Sequence, residues 1–433
     1  MRNFRAPARA SRTLAFVATM LAAAASQADL HEGALPHDEP LGIVRLADAL
    51  SAATEGSPAL ASYSWELRAR EAREIQAALR PNPALSLEIE DVGGRGELSG
   101  FSGSQSTLQL GQLIELGGKR AARMRAARLE HAVVGIDYEA VRLDVLAATT
   151  QAFVDVLAGQ ERVKLADESA ALARELLHAA ERRLRAGIAP PFEVSRASVA
   201  ESDARVVLEQ ARLMLDAARR VLAASWGSEE PRFERGEGEL DRLGDAPGFD
   251  ALRAALGANP ALRRWQGERA RREAALGLAR SQAVPDVEIG PGVRYLAGPD
   301  SAAFLLSASI PLPLFHRNQG AIAEAGNRLA QASDEERTAR LDAVRELTAE
   351  YQRLSSAHAS ALAYRSEILP ASRKALEQVR ARYLEGRSSQ LDVIDAQRTL
   401  FGSRAEYLDA LATYHRSVAA IERLIAAPLP PAP

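Results

Sequence analysis

The 433-residue chain contains no cysteine, which excludes disulfides, thiolate metal sites and a lipid thioether at a mature N-terminus. Aromatic residues reach only 5%, against 26% charged and 47% apolar, a balance closer to long helices than to a β-rich enzyme. No uninterrupted run of about 18 apolar residues occurs, so no membrane-spanning helix is expected in the mature chain. Catalytic motifs are missing as well. Gly94-x-Gly96-x-x-Ser99 lacks the third glycine of a dinucleotide loop and leads into a strand, not a helix. There is no Gly-x-Ser-x-Gly and no His-Glu-x-x-His, and Asp392 and Asp395 stand in a helix's first turn, where acids favour the helix dipole. The reading is therefore non-enzymatic, with no cofactor.

What is present begins at the N-terminus. Arg2, Arg5, Arg9 and Arg12 come before any acid, the first being Asp29. Without those four the formal charge of −3 becomes about −7, which argues against a nucleic-acid partner. They precede an apolar run from Leu14 to Ala25, too short for a bilayer, which needs about 20 residues. Ser26-Gln27-Ala28 places small residues at the −3 and −1 positions of a signal-peptidase site, so residues 1–28 read as a cleaved signal peptide. Residues 29–40 are expected to form a flexible leader carrying His31 and His37, the candidate metal ligands. The other histidines (131, 178, 316, 358 and 415) have no two-ligand spacing, and no structural metal is expected.

The chain repeats itself at an offset near 200. Ser57-Pro58-Ala59-Leu60 returns as Asn259-Pro260-Ala261-Leu262, and a tryptophan follows each, Trp65 and Trp265. Arg183-Leu184-Arg185-Ala186-Gly187 matches Arg382-Tyr383-Leu384-Glu385-Gly386, and Phe192-Glu193-Val194 matches Leu391-Asp392-Val393. The first repeat is assigned 41–228 and the second 249–426, with a linker at 229–248 and a tail at 427–433. Each unit reads as a helix, two strands, a long helix and a further helix. Strands are expected at about 84–92 and 105–114, then 286–295 and 302–311, from period-two alternation. The long helices are expected at about 118–185 and 318–385.

Lengths constrain the architecture. A helix of about 67 residues would run near 100 Å, far beyond a globular core, and the two shorter helices of each unit stacked end to end would nearly match it. Val133, Ile136, Ala140, Leu143, Ala147, Thr150, Val154 and Leu157 step alternately by three and four, the spacing of side-by-side helix packing. The strands have the length of tilted membrane strands. Leu85, Leu87 and Ile89 share one face and Ser86, Glu88 and Glu90 the other, as a wall between lipid and water requires. Four strands cannot close a barrel and open edges in lipid are prohibitive, so the chain must oligomerise. Two copies would supply eight strands and three would supply twelve.

These features, with Ile310-Pro311-Leu312-Pro313-Leu314-Phe315 before the second long helix and the turn Gly386-Arg387-Ser388-Ser389-Gln390-Leu391-Asp392-Val393-Ile394-Asp395-Ala396-Gln397, resemble the TolC-like outer-membrane efflux proteins across essentially the whole mature chain. Ile114-Glu115-Leu116-Gly117-Gly118-Lys119-Arg120-Ala121-Ala122-Arg123 looks most like the cobalt-zinc-cadmium branch. The resemblance implies a mainly α fold with a membrane β-barrel contribution: a homotrimer whose twelve-stranded barrel in the outer-membrane lipid continues into a twelve-helix periplasmic tube. It implies the exit duct of a tripartite pump exporting divalent heavy-metal cations, with a periplasmic adaptor and an inner-membrane RND-type transporter as partners. Many relatives carry an acylated N-terminal cysteine; lacking one, this chain would be held by its barrel alone. The turns then form the periplasmic tip, with Gly187, Pro190, Pro191, Gly386, Ser388, Ser389 and Leu391 as turn formers and adaptor contacts. Pro190 is expected at a first helical position and Ser388 as a cap. Glu181, Arg185, Glu377 and Arg380 would ring the constriction through salt bridges between protomers. Such a duct needs no tight metal site, since tight binding slows exit. The alternatives are a channel of the same fold for drug efflux or protein secretion, and a pore-less periplasmic coiled-coil scaffold.

Overall fold

A computed structural model of the chain describes residues 39–244 and 247–429; the expected signal peptide, His31 and His37 lie outside the described residues. The elements are β1 (Gly42–Arg45), α1 (Leu46–Gly56), α2 (Pro58–Ala77), β2 (Ala84–Glu90), β3 (Gln105–Ile114), α3 (Lys119–Arg185), α4 (Pro191–Ala224), β4 (Phe233–Glu237), α5 (Phe249–Ala255), α6 (Pro260–Gln282), β5 (Val287–Leu296), β6 (Ser301–Ser309), α7 (Gln319–Ala363), α8 (Leu369–Leu384) and α9 (Gln390–Ile425). No helix among the described residues is long and apolar enough to cross a membrane.

The helices form four columns. α3, with 67 residues, packs against α2 and α4 on one side and against α6 and α9 on the other, and α7 and α8 lie beyond α6 and α9. Two of these columns are spliced from shorter helices. Where α4 ends, Trp226 and Gly227 meet Gly56 and Pro58 at the start of α2, and a side chain on Gly56 would collide with the Trp226 carbonyl. Where α9 ends, the Asn259 side-chain amide donates to the Leu424 carbonyl at 2.8 Å while its oxygen caps α6 by accepting from the Ala261 N–H. The predicted seam is partly a core: Val133, Ala147, Val154 and Leu157 are buried. Gly267 of α6 sits directly against Val133 and Ile136, so a residue without a side chain sets the approach of two helices there.

Midway along the columns lies a belt that the sequence reading missed. The region expected as a linker at 229–248 contains β4, which pairs in parallel with β1. Val44, Ala49, Phe153, Val156, Leu222, Trp226, Phe233 and Leu411 bury one another beneath this pair. Trp226 and Phe233 meet edge to face at 6.0 Å, a geometry that the ring quadrupoles favour. Four-residue and five-residue strands carry too few alternations to register as a pattern.

The second long helix is also not uniform. Between α7 and α8, residues 364–368 form a π-turn in which the Leu369 N–H reaches the Tyr364 carbonyl. Pro370 follows at once. Proline has no N–H and clashes with the carbonyl four residues back, and the widened turn removes that clash, so the column continues through a residue that would otherwise break it.

β2, β3, β5 and β6 form one antiparallel sheet in that order. β2 stops at Glu90, short of the expected 92, because Asp91 turns into left-handed backbone at φ 58°. β6 stops at Ser309 ahead of Pro311 and Pro313, which cannot donate to a ladder. The sheet meets the helices at Glu115-Leu116-Gly117-Gly118-Lys119, where both glycines have positive φ and Gly117 lies against Val284. Arg123 clamps this joint, donating to both carboxylate oxygens of Glu115 at 2.6 and 3.1 Å and to the carbonyls of Ala77 and Leu79 at the end of α2. Arg120 takes the Ala78 carbonyl, and Lys119 pairs with Asp286 at 2.7 Å. These arginines close α2 at Ala77 by satisfying its last carbonyls from another helix. In the second half Asn318, at φ 56°, performs the matching task by donating to the Ala279 carbonyl.

Arg123→Ala should therefore destabilise the protein by about 1–3 kcal/mol, since it strands a partly buried carboxylate and the Ala77 carbonyl; thermal unfolding followed by circular dichroism measures this, and Arg120→Ala should cost less. The hydrogen bond from Arg123 holds the Glu115 carboxyl below its ordinary value of 4.5. Its contribution is thus complete above about pH 4.5 and is lost as pH falls through the lowered value. An Arg123→Ala protein should lack that part of the acid sensitivity.

Candidate functional site

The sheet divides its residues by face. Cross-strand partners point to the same side, and the register aligns Leu87, Leu108, Val293 and Phe304 in one row and Leu85, Leu110, Pro291 and Leu306 in the next. This face is apolar and open: Phe304 is 93% exposed and Leu306 76%. At its helix-proximal border Leu312 is exposed too, and Phe315 is 90% exposed. The opposite face carries Ser86, Glu88, Glu90, Thr107, Gln109, Glu288, Arg294 and Ser307. There the Gln109 amide hydrogen-bonds Ser307 and the Gly290 carbonyl. An exposed apolar face this continuous is a surface for a non-aqueous neighbour. Among the described residues, the backbone of β2 on one edge and of β6 on the other has no partner strand.

At the far end of the columns, two matching turns reverse the chain. Gly187 has φ 71° and Gly386 φ 74°. In each turn the glycine N–H bonds the carbonyl three residues back, Leu184 or Tyr383, while the next N–H bonds the carbonyl five back, Arg183 or Arg382. This paired pattern needs a left-handed residue, which glycine adopts without strain. The helix starts differ by one residue from expectation. Pro191, not Pro190, is the first helical residue of α4, and Ser389, not Ser388, caps α9. The reason is Asp392, which must stand three residues after the cap to close a reciprocal box: the Ser389 hydroxyl accepts from the Asp392 N–H at 3.2 Å, and the Asp392 carboxylate accepts from the Ser389 N–H at 2.8 Å. That backbone hydrogen bond holds the Asp392 carboxyl below its usual range. Ile188, Phe192, Leu384 and Leu391 project into solvent around the two turns.

The charged candidates are not assembled as one ring within the chain. Arg380 donates to Glu175 on α3 at 2.6 Å, a partner the sequence reading did not name. Glu181 lies 3.4 Å from His178 on its own helix. Arg185 and Glu377 are exposed, with no ion-pair partner among the described residues. The tip's buried polar contacts come instead from residues left out of the expected set. The Arg183 guanidinium stacks 4.7 Å over the Tyr383 ring, and the Gln390 amide donates to the Glu193 carbonyl. Burial, with Glu193 beside it, pushes the Tyr383 phenol up from its ordinary value. The repeat held the signal for this group, since position 184 is leucine where position 383 is tyrosine. Among the described residues no three His, Asp or Glu side chains gather into a metal cluster.

Comparison with known proteins agrees with this geometry. The model of the outer membrane efflux protein family matches residues 49–228 and 251–427. The cobalt-zinc-cadmium resistance protein CzcC of Cupriavidus metallidurans is 33% identical over 387 residues, covering 89% of this chain and 91% of its own. The nickel and cobalt resistance protein CnrC of the same organism is 29% identical over 289 residues, 67% of either chain. The crystal structure of CusC aligns with a TM-score of 0.74 at 17% identity, over 88% of this chain and 91% of that one. A mainly helical chain with a four-stranded sheet that exposes one apolar face, matched along most of its length, belongs to the outer membrane efflux protein family, whose members are transport ducts and not enzymes.

Proposed function

We propose that the chain is the outer-membrane exit duct of a tripartite efflux pump, closed by three copies, and that its cargo is divalent heavy-metal cations. One observation carries the reading: a four-stranded sheet with one apolar face and two free edges. Unpaired backbone groups are prohibitive in hydrocarbon. Pairing β6 of one copy with β2 of the next continues the antiparallel order, and three copies give the twelve strands of a closed barrel. The same closure brings the four helix columns to twelve. The outermost column supports it, because Val199, Val206 and Leu213, and beside them Val207, Met214 and Val221, are exposed at seven-residue spacing, the spacing of a seam awaiting another helix. Signal-peptide cleavage after Ala28 would precede assembly, and residues 41–228 and 249–426 would be the two copies of a duplicated unit.

The cargo follows from the relatives, which are named for resistance to cobalt, zinc, cadmium and nickel. The turns at Gly187, Pro190 and Pro191, and at Gly386, Ser388, Ser389 and Leu391, would receive a periplasmic adaptor coupled to an inner-membrane RND-type transporter. In the closed tube Glu181, Arg185, Glu377 and Arg380 would ring the narrow end, with Glu175 holding Arg380 from within the same chain.

Outer-membrane fractionation and mass determination of the unboiled, detergent-solubilised protein should give a complex of three mature chains; a soluble monomer or dimer would return the pore-less scaffold. Deletion should sensitise cells to zinc, cobalt or cadmium, whereas sensitivity confined to dyes and detergents would move the cargo to drugs. Leu391→Asp, at an exposed tip position, should leave the trimer intact while reducing crosslinking to the adaptor and metal tolerance by about tenfold, as expected for a central apolar contact.

A further inference from the structure

The polar face of the sheet carries all four charged residues of its strands, Glu88, Glu90, Glu288 and Arg294. Three are acids, and Arg294 is the one cation. Register places it opposite Thr107, which in turn stands opposite Glu88, so Glu88, Thr107 and Arg294 form one cross-strand row. Thr107 is buried, and its hydroxyl accepts from the Arg294 Nε at 3.0 Å. The hydrogen bond draws the guanidinium back along the row toward the strand that bears Glu88. Two strand spacings, about 10 Å, separate the two backbones, and no direct ion pair forms between them. Glu90 lies one step further along β2 on the same face, about 7 Å away, and Glu288 lies six residues from Arg294 on β5, beside the joint with the helices.

Resting on the closed-barrel reading above, we propose that Arg294 is a specificity-determining residue of the duct: it compensates Glu88 so that the outer part of the lumen passes divalent cations without holding them. In a threefold ring the Glu88 and Glu90 carboxylates would form two adjacent acidic levels on a low-dielectric wall, an arrangement that attracts a divalent cation strongly. Conduction requires sites favourable enough to enter and weak enough to leave. Three guanidinium groups at the level of Glu88 weaken that level by charge alone, with no direct contact needed. At the inner end Glu288 has no cation in its cross-strand row and still favours entry of positive charge. Each end of the barrel then keeps one uncompensated acid per chain, Glu288 where cargo enters and Glu90 where it leaves, so both favour positive charge while neither offers two adjacent bare acidic levels.

The test is binding of cadmium ion to the purified, detergent-solubilised full-length complex by equilibrium dialysis, which does not depend on whether the periplasmic end is open. Arg294→Gln should gain a saturable cadmium site with affinity raised about tenfold or more over the unmodified complex, and the double variant Glu88→Gln/Arg294→Gln should lose it again. Arg294→Met, of similar reach and no charge, should behave as Arg294→Gln, whereas Arg294→Lys should bind no more than the unmodified complex. Cadmium binding by trimeric Arg294→Gln equal to the unmodified complex would overturn the proposal, as would a gained site that survives Glu88→Gln. Failure of both neutral variants to assemble would overturn it too, by making the arginine structural. Failure of the unmodified protein to form a closed trimer would instead sink the barrel reading on which the role of Arg294 depends.

Discussion

Backbone hydrogen bonding in a medium without water is the constraint from which the rest of this molecule follows. Inside a soluble protein, the edges of a four-stranded sheet can turn to solvent. With Phe304, Leu306, Leu85 and Leu87 lying bare across one face, this sheet is suited to hydrocarbon, where an unpaired N–H or carbonyl costs several kcal/mol. In the reading adopted here each edge finds its partner in another copy, so oligomerisation becomes part of folding. The helical part must then match the same symmetry, because β3 runs into α3 through a joint of only four residues, Glu115 to Gly118.

That joint shows how a rigid transition between two architectures is made. A strand and a helix cannot meet without leaving helix ends and loop carbonyls unpaired. The chain meets this with long cationic side chains from α3, which satisfy the last turn of α2, and with an acid from each neighbouring loop. The same principle operates at the column splices, where Asn259 spans the gap between α9 and α6. In each case the side chain comes from a neighbouring segment, so local order depends on packing that is distant in sequence.

Much of the architecture was legible in the sequence because its signals are long. A proline-free run of 67 residues, alternating strands next to prolines and glycines, and paired turns 199 residues apart are each hard to misread. The belt was illegible for the converse reason, since β1 and β4 are too short to establish a period and pair across more than 190 residues. The π-turn was invisible because it is an answer to Pro370, and nothing about a proline tells which way its clash will be relieved. At the tip, the glycines were legible from their backbone requirement. The partner of Arg380 was not, because Glu175 reaches it from another helix, and neither was the one-residue shift of the caps, which depends on where Asp392 closes its box.

The π-turn at Tyr364–Ile368 has a geometric result of its own. One extra residue in a single turn delays the angular phase of everything that follows by about 100°. The stripe that α7 presents to α6 and the upper part of α9 is therefore decoupled from the stripe that α8 presents to the lower part of α9. The column behaves as two rulers joined end to end with their markings offset. A slip in register on one side of the belt need not be carried through to the other, so the sheet-proximal and turn-proximal halves can adjust their packing separately while sharing a single unbroken rod.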